Sequence, residues 1–316
     1  MRLNRILALA LVVLCLLAAL GNWLGGSINQ GKRQGLANVA LVNVYGLISD
    51  EAVGGPFSSS TGTNANQMIE AIKEAREDSG IKAILLRINS PGGTAAASAA
   101  IYEELMRTRK ETDIKIIASL GDVAASGGYY IASAAHHIVA NPSTVTGSIG
   151  VIVRTQNVSP LLDKIGVKTS TFQSGQFKDI LSPFRDTKPE EQKILQGVVD
   201  TSYQQFLEAI VAGRDMPMEK LKPLADGRIF TGEQAKAKNL VDSLGNYYDA
   251  LKTTAELANI RGEPKVRDVG KSSLFGDSLG PFLSSVLGQG HTSQWLPMPS
   301  QTEWTRWHKI PLTLME

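Results

Sequence analysis

Residues 82–94 read KAILLRINSPGGT, and this stretch decides the fold. Residues 82–89 are almost wholly apolar, which is typical of a strand buried on both faces of a parallel sheet. A Pro-Gly-Gly turn follows, and the pattern of residues 95–107 predicts a helix. A second apolar strand is predicted at 114–120, directly before another Gly-rich turn. Strand, loop and helix in repetition predict an α/β fold with parallel strands and right-handed crossovers.

The same alternation extends outward in both directions. Further strands are predicted at 39–48, 137–140, 150–154 and 167–172. Further helices are predicted around 68–75 and at 126–135, 189–212, 232–238 and 247–259. A single α/β domain from 38 to 262, with a parallel sheet and flanking helices, accounts for this pattern.

The N-terminus has the composition of a membrane segment. Two arginines precede an unbroken apolar run from 6 to 20, and Trp23 follows at the expected interface. An uncleaved transmembrane signal anchor at 1–24 is favoured over a cleaved signal peptide, because a small-x-small cleavage site is poorly defined. Either reading places the main domain on the extracytoplasmic side of the inner membrane. Residues 25–37 are predicted to be a flexible linker, and residues 263–316 a partly irregular tail containing three tryptophans.

Composition excludes several functional classes. The net charge is +2 without long basic runs, which gives no reason to expect nucleic-acid binding. Cys15 is the one cysteine, so no intramolecular disulfide can form, and it is interpreted as a lipid-facing residue. No His, Cys or carboxylate pair has metal-ligand spacing, and no phosphate-binding Gly loop ends in Lys-Ser or Lys-Thr. No metal or cofactor is expected.

Two of the predicted loops lie at the carboxyl ends of strands and could build a site, because ligands of α/β sheets bind at these ends. Residues 89–94 (NSPGGT) contain consecutive glycines, whose uncovered N–H groups could hold an anion, although Pro-Gly-Gly is also a common tight turn. In residues 121–130 (GDVAASGGYY), Ser126 opens a helix after a strand and is followed by Gly127. Ser126 could be a nucleophile or merely an N-cap. Ala124 breaks the Gly-x-Ser-x-Gly pattern, which argues against an α/β-hydrolase.

A third loop, residues 174–183 (SGQFKDILSP), carries Lys178 between apolar neighbours. A lysine can act as a general base only if its surroundings lower its pKa enough for the neutral amine to exist. The alternative is a solvated surface lysine. Histidine is a poorer candidate for the base, because His136 and His137 are predicted at the far end of the helix after Ser126. His291 and His308 fall in the irregular tail.

Taken together, these loops resemble the S49 serine peptidases of the signal peptide peptidase A type, in a short single-repeat bacterial form. The resemblance covers residues 37–259. It includes the loops above together with the segments TGSIGV (146–151), FKD (177–179), GRIFTG (227–232) and NLVD (239–242).

The resemblance implies a ClpP/crotonase-like fold and a Ser-Lys dyad. Ser126 would be the nucleophile, Lys178 the base, and Ser148 would orient the lysine amine. Gly93 and Gly127 would supply the oxyanion N–H groups. The family forms homo-oligomers whose sites combine residues of neighbouring protomers, and it cleaves remnant signal peptides in the membrane. ClpP-type peptidases instead use a histidine about one strand-helix unit after the serine, and residues 148–154 contain none.

Two other functions remain open from the sequence. One is a catalytically silent membrane scaffold with the same fold. The other is an acyl-CoA enzyme of crotonase type, against which the secretion signal and the Ser/Lys pair both argue.

Overall fold

The computed structural model of the protein describes residues 37–50 and 62–269. The predicted membrane segment at 1–24 and residues 270–316 of the predicted tail lie outside these ranges. Within them, no helix is both long and apolar enough to cross a membrane.

The described residues form one sheet of nine strands. The strands are β1 (Val39–Ser49), β2 (Gly62–Asn64), β3 (Ala83–Gly93), β4 (Lys115–Ala125), β5 (His137–Ala140), β6 (Val145–Gly147), β7 (Ile229–Thr231), β8 (Ser243–Leu244) and β9 (Val266–Val269). The main path runs β2-β1-β3-β4-β5-β8, with β9 beside β1 and with β6 joining β4 to β7. Every pairing is parallel except that between β6 and β7. The predicted α/β class with a parallel sheet is therefore confirmed.

Eight α-helices accompany the sheet in the described ranges. They are α1 (Ala65–Glu77), α2 (Ala95–Glu111), α3 (Gly127–Ala132), α4 (Ser159–Lys164), α5 (Pro189–Arg214), α6 (Met218–Leu221), α7 (Gly232–Ala237) and α8 (Tyr247–Leu257). Helix α3 is shorter than the predicted 126–135, because Ala134 and Ala135 form tight turns whose carbonyls accept from the Arg109 guanidinium.

Burial on both faces explains why the first halves of β3 and β4 are mostly apolar. Ile84 and Leu86 on β3 pack into the larger core beneath α1, α2 and α5. Leu85 and Ile117 point to the opposite face, where Ala250 of α8 covers them. Helices on both faces of a parallel sheet leave no solvent-facing row for polar residues.

The predicted strands at 150–154 and 167–172 are wrong. Residues 151–188, called the arm below, contain only the short helix α4 and no buried residue. Their apolar residues resemble a strand pattern, yet Ile152 is 78% exposed and Phe172 97% exposed. The strand found in this region is β6, just before the arm, where Val145–Gly147 lies between β4 and β7.

Candidate active site

Ser126 occupies a sharp turn between a buried strand and a helix. It follows the last residue of β4 and precedes Gly127, the first residue of α3. Its φ of 52° and ψ of −120° are strained for a residue with a Cβ, and such strain persists only where surrounding structure enforces it. Two backbone hydrogen bonds do so: the Ser126 N–H donates to the Gly147 carbonyl at 2.9 Å, and its carbonyl accepts from Tyr130 at 2.9 Å.

The hydroxyl of Ser126 is half-buried and makes no capping hydrogen bond to the helix that follows. Capping is the usual reason for a serine at this position. The alternative that Ser126 is merely an N-cap therefore finds no support in the geometry.

The loop after β3 approaches Ser126 so closely that side chains are excluded. A Cβ on Gly92 would lie 2.8 Å from the Gly127 nitrogen and 2.9 Å from the Ser126 Cβ. A Cβ on Gly127 would lie 2.3 Å from the Ser98 Oγ and 3.2 Å from the Gly93 nitrogen. The two predicted anion-binding loops thus meet, with the backbones of Gly93 and Gly127 beside the serine.

A buried serine holds the end of β3 in this arrangement. The Ser90 hydroxyl donates to the Gly46 carbonyl at 2.6 Å and accepts from the Gly92 N–H at 3.1 Å. The hydrogen bond across to β1 fixes where the Pro-Gly-Gly turn begins. This contact depends on the pairing of β1 with β3, so the sequence pattern alone could not identify it.

Ser148 lies next to Ser126 because of strand pairing. Strands β4 and β6 run parallel, and Ala125 lies opposite Gly147. Ser126 directly follows Ala125, and Ser148 directly follows Gly147. Ser148 also has a positive φ of 49°, and its N–H donates to the Arg228 carbonyl at 2.8 Å. Within the described residues neither serine hydroxyl makes a hydrogen bond.

Lys178 is placed differently from the other predicted site residues. It lies exposed on the arm, where its backbone N–H donates to the Gly175 carbonyl at 3.0 Å. The arm's hydrogen bonds to described residues stay within the arm or reach the first turn of α5. In the described part of the chain, the Lys178 amine makes neither a hydrogen bond nor an ion pair, and so makes none to Ser126.

The histidines at the start of β5 face another end of the sheet. His137 pairs with Ile117 of β4, eight residues before Ala125, which corresponds to roughly 26 Å along the strand. Burial lowers the pKa of His136 to about 4, and its Nδ1 accepts from the Ile116 N–H. Burial also lowers the pKa of His137, whose Nε2 is 2.9 Å from the Ser243 Oγ. Both therefore have structural partners, while His291 and His308 lie outside the described residues.

Metal binding has no candidate cluster in residues 37–50 and 62–269, where no three His, Cys, Asp or Glu side chains are grouped suitably.

Comparison with known proteins identifies the class. The sequence profile of Clp protease matches residues 41–144, and that of peptidase family S49 matches residues 108–261. The fold is thus that of a Clp-protease-like peptidase. Matches to individual relatives define the family of the chain more closely.

A Synechocystis protein named as a candidate protease is 48% identical over 193 residues, covering 61% of this chain and 69% of that protein. An Enterococcus faecium protein named as a candidate signal peptide peptidase A is 37% identical over 271 residues, covering 85% and 76%. Protease 4 of Salmonella typhi is 37% identical over 246 residues, covering 75% of this chain and 39% of that protein. The chain belongs to peptidase family S49, and its expected proteolytic class is thereby supported.

Proposed function

We propose that the chain is a membrane-anchored serine endopeptidase that uses Ser126 and Lys178 as a catalytic dyad on apolar peptides, remnant signal peptides foremost. The observation that carries the proposal is the strained turn at Ser126. The Ser126 hydroxyl makes no capping hydrogen bond and lies beside the Gly93 and Gly127 backbones. A nucleophile next to a pair of backbone donors is the arrangement that acyl transfer requires.

The chemistry begins with proton transfer from the Ser126 hydroxyl to the neutral Lys178 amine. The serine oxygen attacks the peptide carbonyl, and the Gly93 and Gly127 N–H groups stabilise the resulting oxyanion. The ammonium group then protonates the leaving amine as the peptide bond breaks. Water, deprotonated by Lys178, hydrolyses the acyl-enzyme and regenerates Ser126.

We infer that Lys178 reaches Ser126 of a neighbouring protomer in a homo-oligomer. Three features of the arm support this: no arm residue is buried, the Lys178 amine makes no hydrogen bond or ion pair with described residues, and large apolar side chains face solvent. Exposed apolar surface of this extent is typical of a protein interface. The large apolar residues of the arm that are more than 40% exposed are Ile152, Val153, Leu161, Ile165, Val167, Phe172, Leu181 and Phe184. Ser148, one strand away from Ser126, is then placed to accept a hydrogen bond from the incoming amine.

The substrate and location follow from the N-terminal sequence and from one relative. The apolar segment 1–24 would hold the domain at the outer surface of the inner membrane, where apolar peptides remain after preprotein processing. The Enterococcus relative is named for signal peptide cleavage. No cofactor takes part in the proposed reaction.

A serine-directed acylating probe separates the peptidase from the silent scaffold. We expect a fluorophosphonate to label the full-length chain at Ser126, identified by mass spectrometry of the modified peptide, with parallel loss of peptide cleavage. An assembled chain that neither reacts nor cleaves apolar peptides between pH 7 and 9 would instead support the scaffold.

Replacing Gly127 by alanine tests the oxyanion arrangement. The added Cβ would lie 2.3 Å from the Ser98 hydroxyl and 3.2 Å from the Gly93 nitrogen, so either Ser98 or the facing backbones of Gly93 and Gly127 must shift. Loss of one oxyanion donor typically lowers kcat by about 10²–10³-fold, and we expect a decrease of this order. Adding Ser98→Gly removes the clashing hydroxyl and should restore part of the rate. Near-normal kcat in folded Gly127→Ala would contradict the expected displacement of the oxyanion donors.

A further inference from the structure

Arg185 forms a two-sided ion pair at the base of the loop that carries Lys178. Its Nε and Nη2 each donate to Asp179 carboxylate oxygens at 2.7 Å. Its Nη1 and Nη2 donate to the Glu191 carboxylate at 2.8 and 2.5 Å. Planar guanidinium groups hold carboxylates in this bidentate way with high geometric specificity. Arg185, Asp179 and Glu191 are called the clamp below.

The clamp connects Lys178 to the folded core. Asp179 is the next residue after Lys178, and Glu191 lies in the first turn of α5. Glu191 is fully buried and also accepts the Lys188 N–H at 2.9 Å, which starts the helix. The other end of α5 packs its Phe206, Leu207 and Ile210 into the larger core. Through α5, Glu191 and Arg185, an otherwise exposed loop is tied to the sheet that holds Ser126.

A second set of hydrogen bonds closes the same loop. The Gln173 side-chain amide donates to the Gly175 carbonyl at 3.0 Å and to the Gln176 carbonyl at 3.2 Å. The Ser182 N–H donates to the Asp179 carbonyl at 2.9 Å. The backbone on both sides of Lys178 is therefore fixed, although Lys178 itself is exposed.

The residues of the clamp keep their charges over the pH range in which a lysine base would lose its proton. Hydrogen bonds from Arg185 are the largest cause that lowers the pKa of Asp179 to about 2 and that of Glu191 to about 2. The ion pairs raise the pKa of Arg185 further above its already high value. Beside the clamp lies Lys188, whose N–H donates to Glu191. The two carboxylates and the guanidinium of the clamp thus stay charged from neutral to alkaline pH.

We propose that Arg185 is a positioning residue for the Lys178 base: it fixes the loop through Glu191 and neutralises the carboxylate of Asp179, the residue that follows Lys178 in the chain. The inference rests on the proposed dyad. Positioning matters because an error of about 1 Å in a catalytic group can lower the rate about 10²-fold. Neutralisation matters because an unpaired carboxylate next to an amine favours its inactive ammonium form.

Two substitutions in the full-length, assembled protein separate positioning from simple stabilisation. Arg185→Met should lower kcat by about 10–10²-fold with little change in KM, and should move the rising limb of the pH–activity profile to higher pH. Asp179→Asn should also lower kcat, but should move the limb to lower pH, because one of the two carboxylates that balance the Arg185 cation is then lost. A merely structural role would lower activity in both variants without moving the limb in opposite directions.

Rescue and control variants complete the design. Arg185→Lys keeps a cation but loses the bidentate fork, so its kcat should lie between those of Arg185→Met and the unmodified chain. Arg267→Met is the matched control, since Arg267 pairs with Asp78 at 2.9 Å near the start of β1, away from the site. It should leave the pH profile unchanged.

The outcomes distinguish the clamp from the dyad. If Lys178→Ala retains activity, the dyad is wrong. If Lys178→Ala is inactive while folded Arg185→Met keeps normal kcat and an unmoved limb, the clamp alone is wrong. If Arg185→Met fails to fold or assemble, Asp179→Asn tests the proposal instead, because it keeps the pair between Arg185 and Glu191. A pH–activity profile of Asp179→Asn whose rising limb does not move would refute the proposal.

Discussion

Lys178→Ala should abolish cleavage of an apolar fluorogenic peptide as completely as Ser126→Ala does. In a catalytic unit, removing either the nucleophile or its base lowers kcat by about 10⁴-fold or more, and the residual rate reflects binding and the oxyanion donors. The measurement is kcat for the unmodified chain and both variants, with oligomeric state and secondary structure compared in parallel. Near-normal activity of Lys178→Ala would assign the base to another residue.

Lys178→Arg is the informative control for this experiment. It keeps the positive charge and much of the length, but a guanidinium does not lose its proton at working pH and cannot act as a base. We therefore expect Lys178→Arg to be as inactive as Lys178→Ala. Activity of the unmodified chain should rise from neutral to mildly alkaline pH, because only the neutral amine accepts the serine proton. If Lys178→Arg were active, the lysine would act through its charge alone.

Much of this site could be predicted from the sequence because its parts are encoded locally. The apolar runs of β3 and β4 identify buried parallel strands, and the glycines that follow them identify close backbone approach. Family resemblance then indicated Ser148, whose place beside Ser126 follows from the pairing of Ala125 with Gly147. These features depend on residues a few positions apart or on the parallel order of the strands.

The remaining features depend on contacts that local patterns do not reveal. The apolar residues of the arm resemble those of strands, but a strand needs a neighbour, and in the described part of the chain the arm pairs with none. The FKD segment contains Asp179, but nothing in the sequence pattern indicates its pairing with Arg185 or the pairing of Arg185 with Glu191. The two spacings of six residues match neither the helical nor the strand period. Before the fold is known, a Lys-Asp pair, a Pro-bounded loop and a later glutamate do not indicate that an arginine between them binds both carboxylates.

Mixing two inactive variants should restore activity, which tests whether the dyad forms between protomers. Ser126→Ala chains keep Lys178, and Lys178→Ala chains keep Ser126. In a closed head-to-tail assembly mixed in equal amounts, about one interface in four combines both intact residues. We therefore expect up to about a quarter of the unmodified activity after co-assembly, against almost none for either variant alone. The measurement is kcat per chain after co-expression or subunit exchange.

The control is a chain carrying both substitutions, Ser126→Ala and Lys178→Ala, mixed with each single variant. No interface in these mixtures holds both residues, so they should stay silent. If the single variants also fail to complement each other while mixed oligomers form, the two residues must meet within one chain. The arm would then have to fold back towards β4, which would bury part of a segment that has no buried residue in the structure. Recovered activity would instead explain why the large apolar residues around Lys178 face outward. They would pack against the neighbouring protomer, whose Ser126 is deprotonated by Lys178.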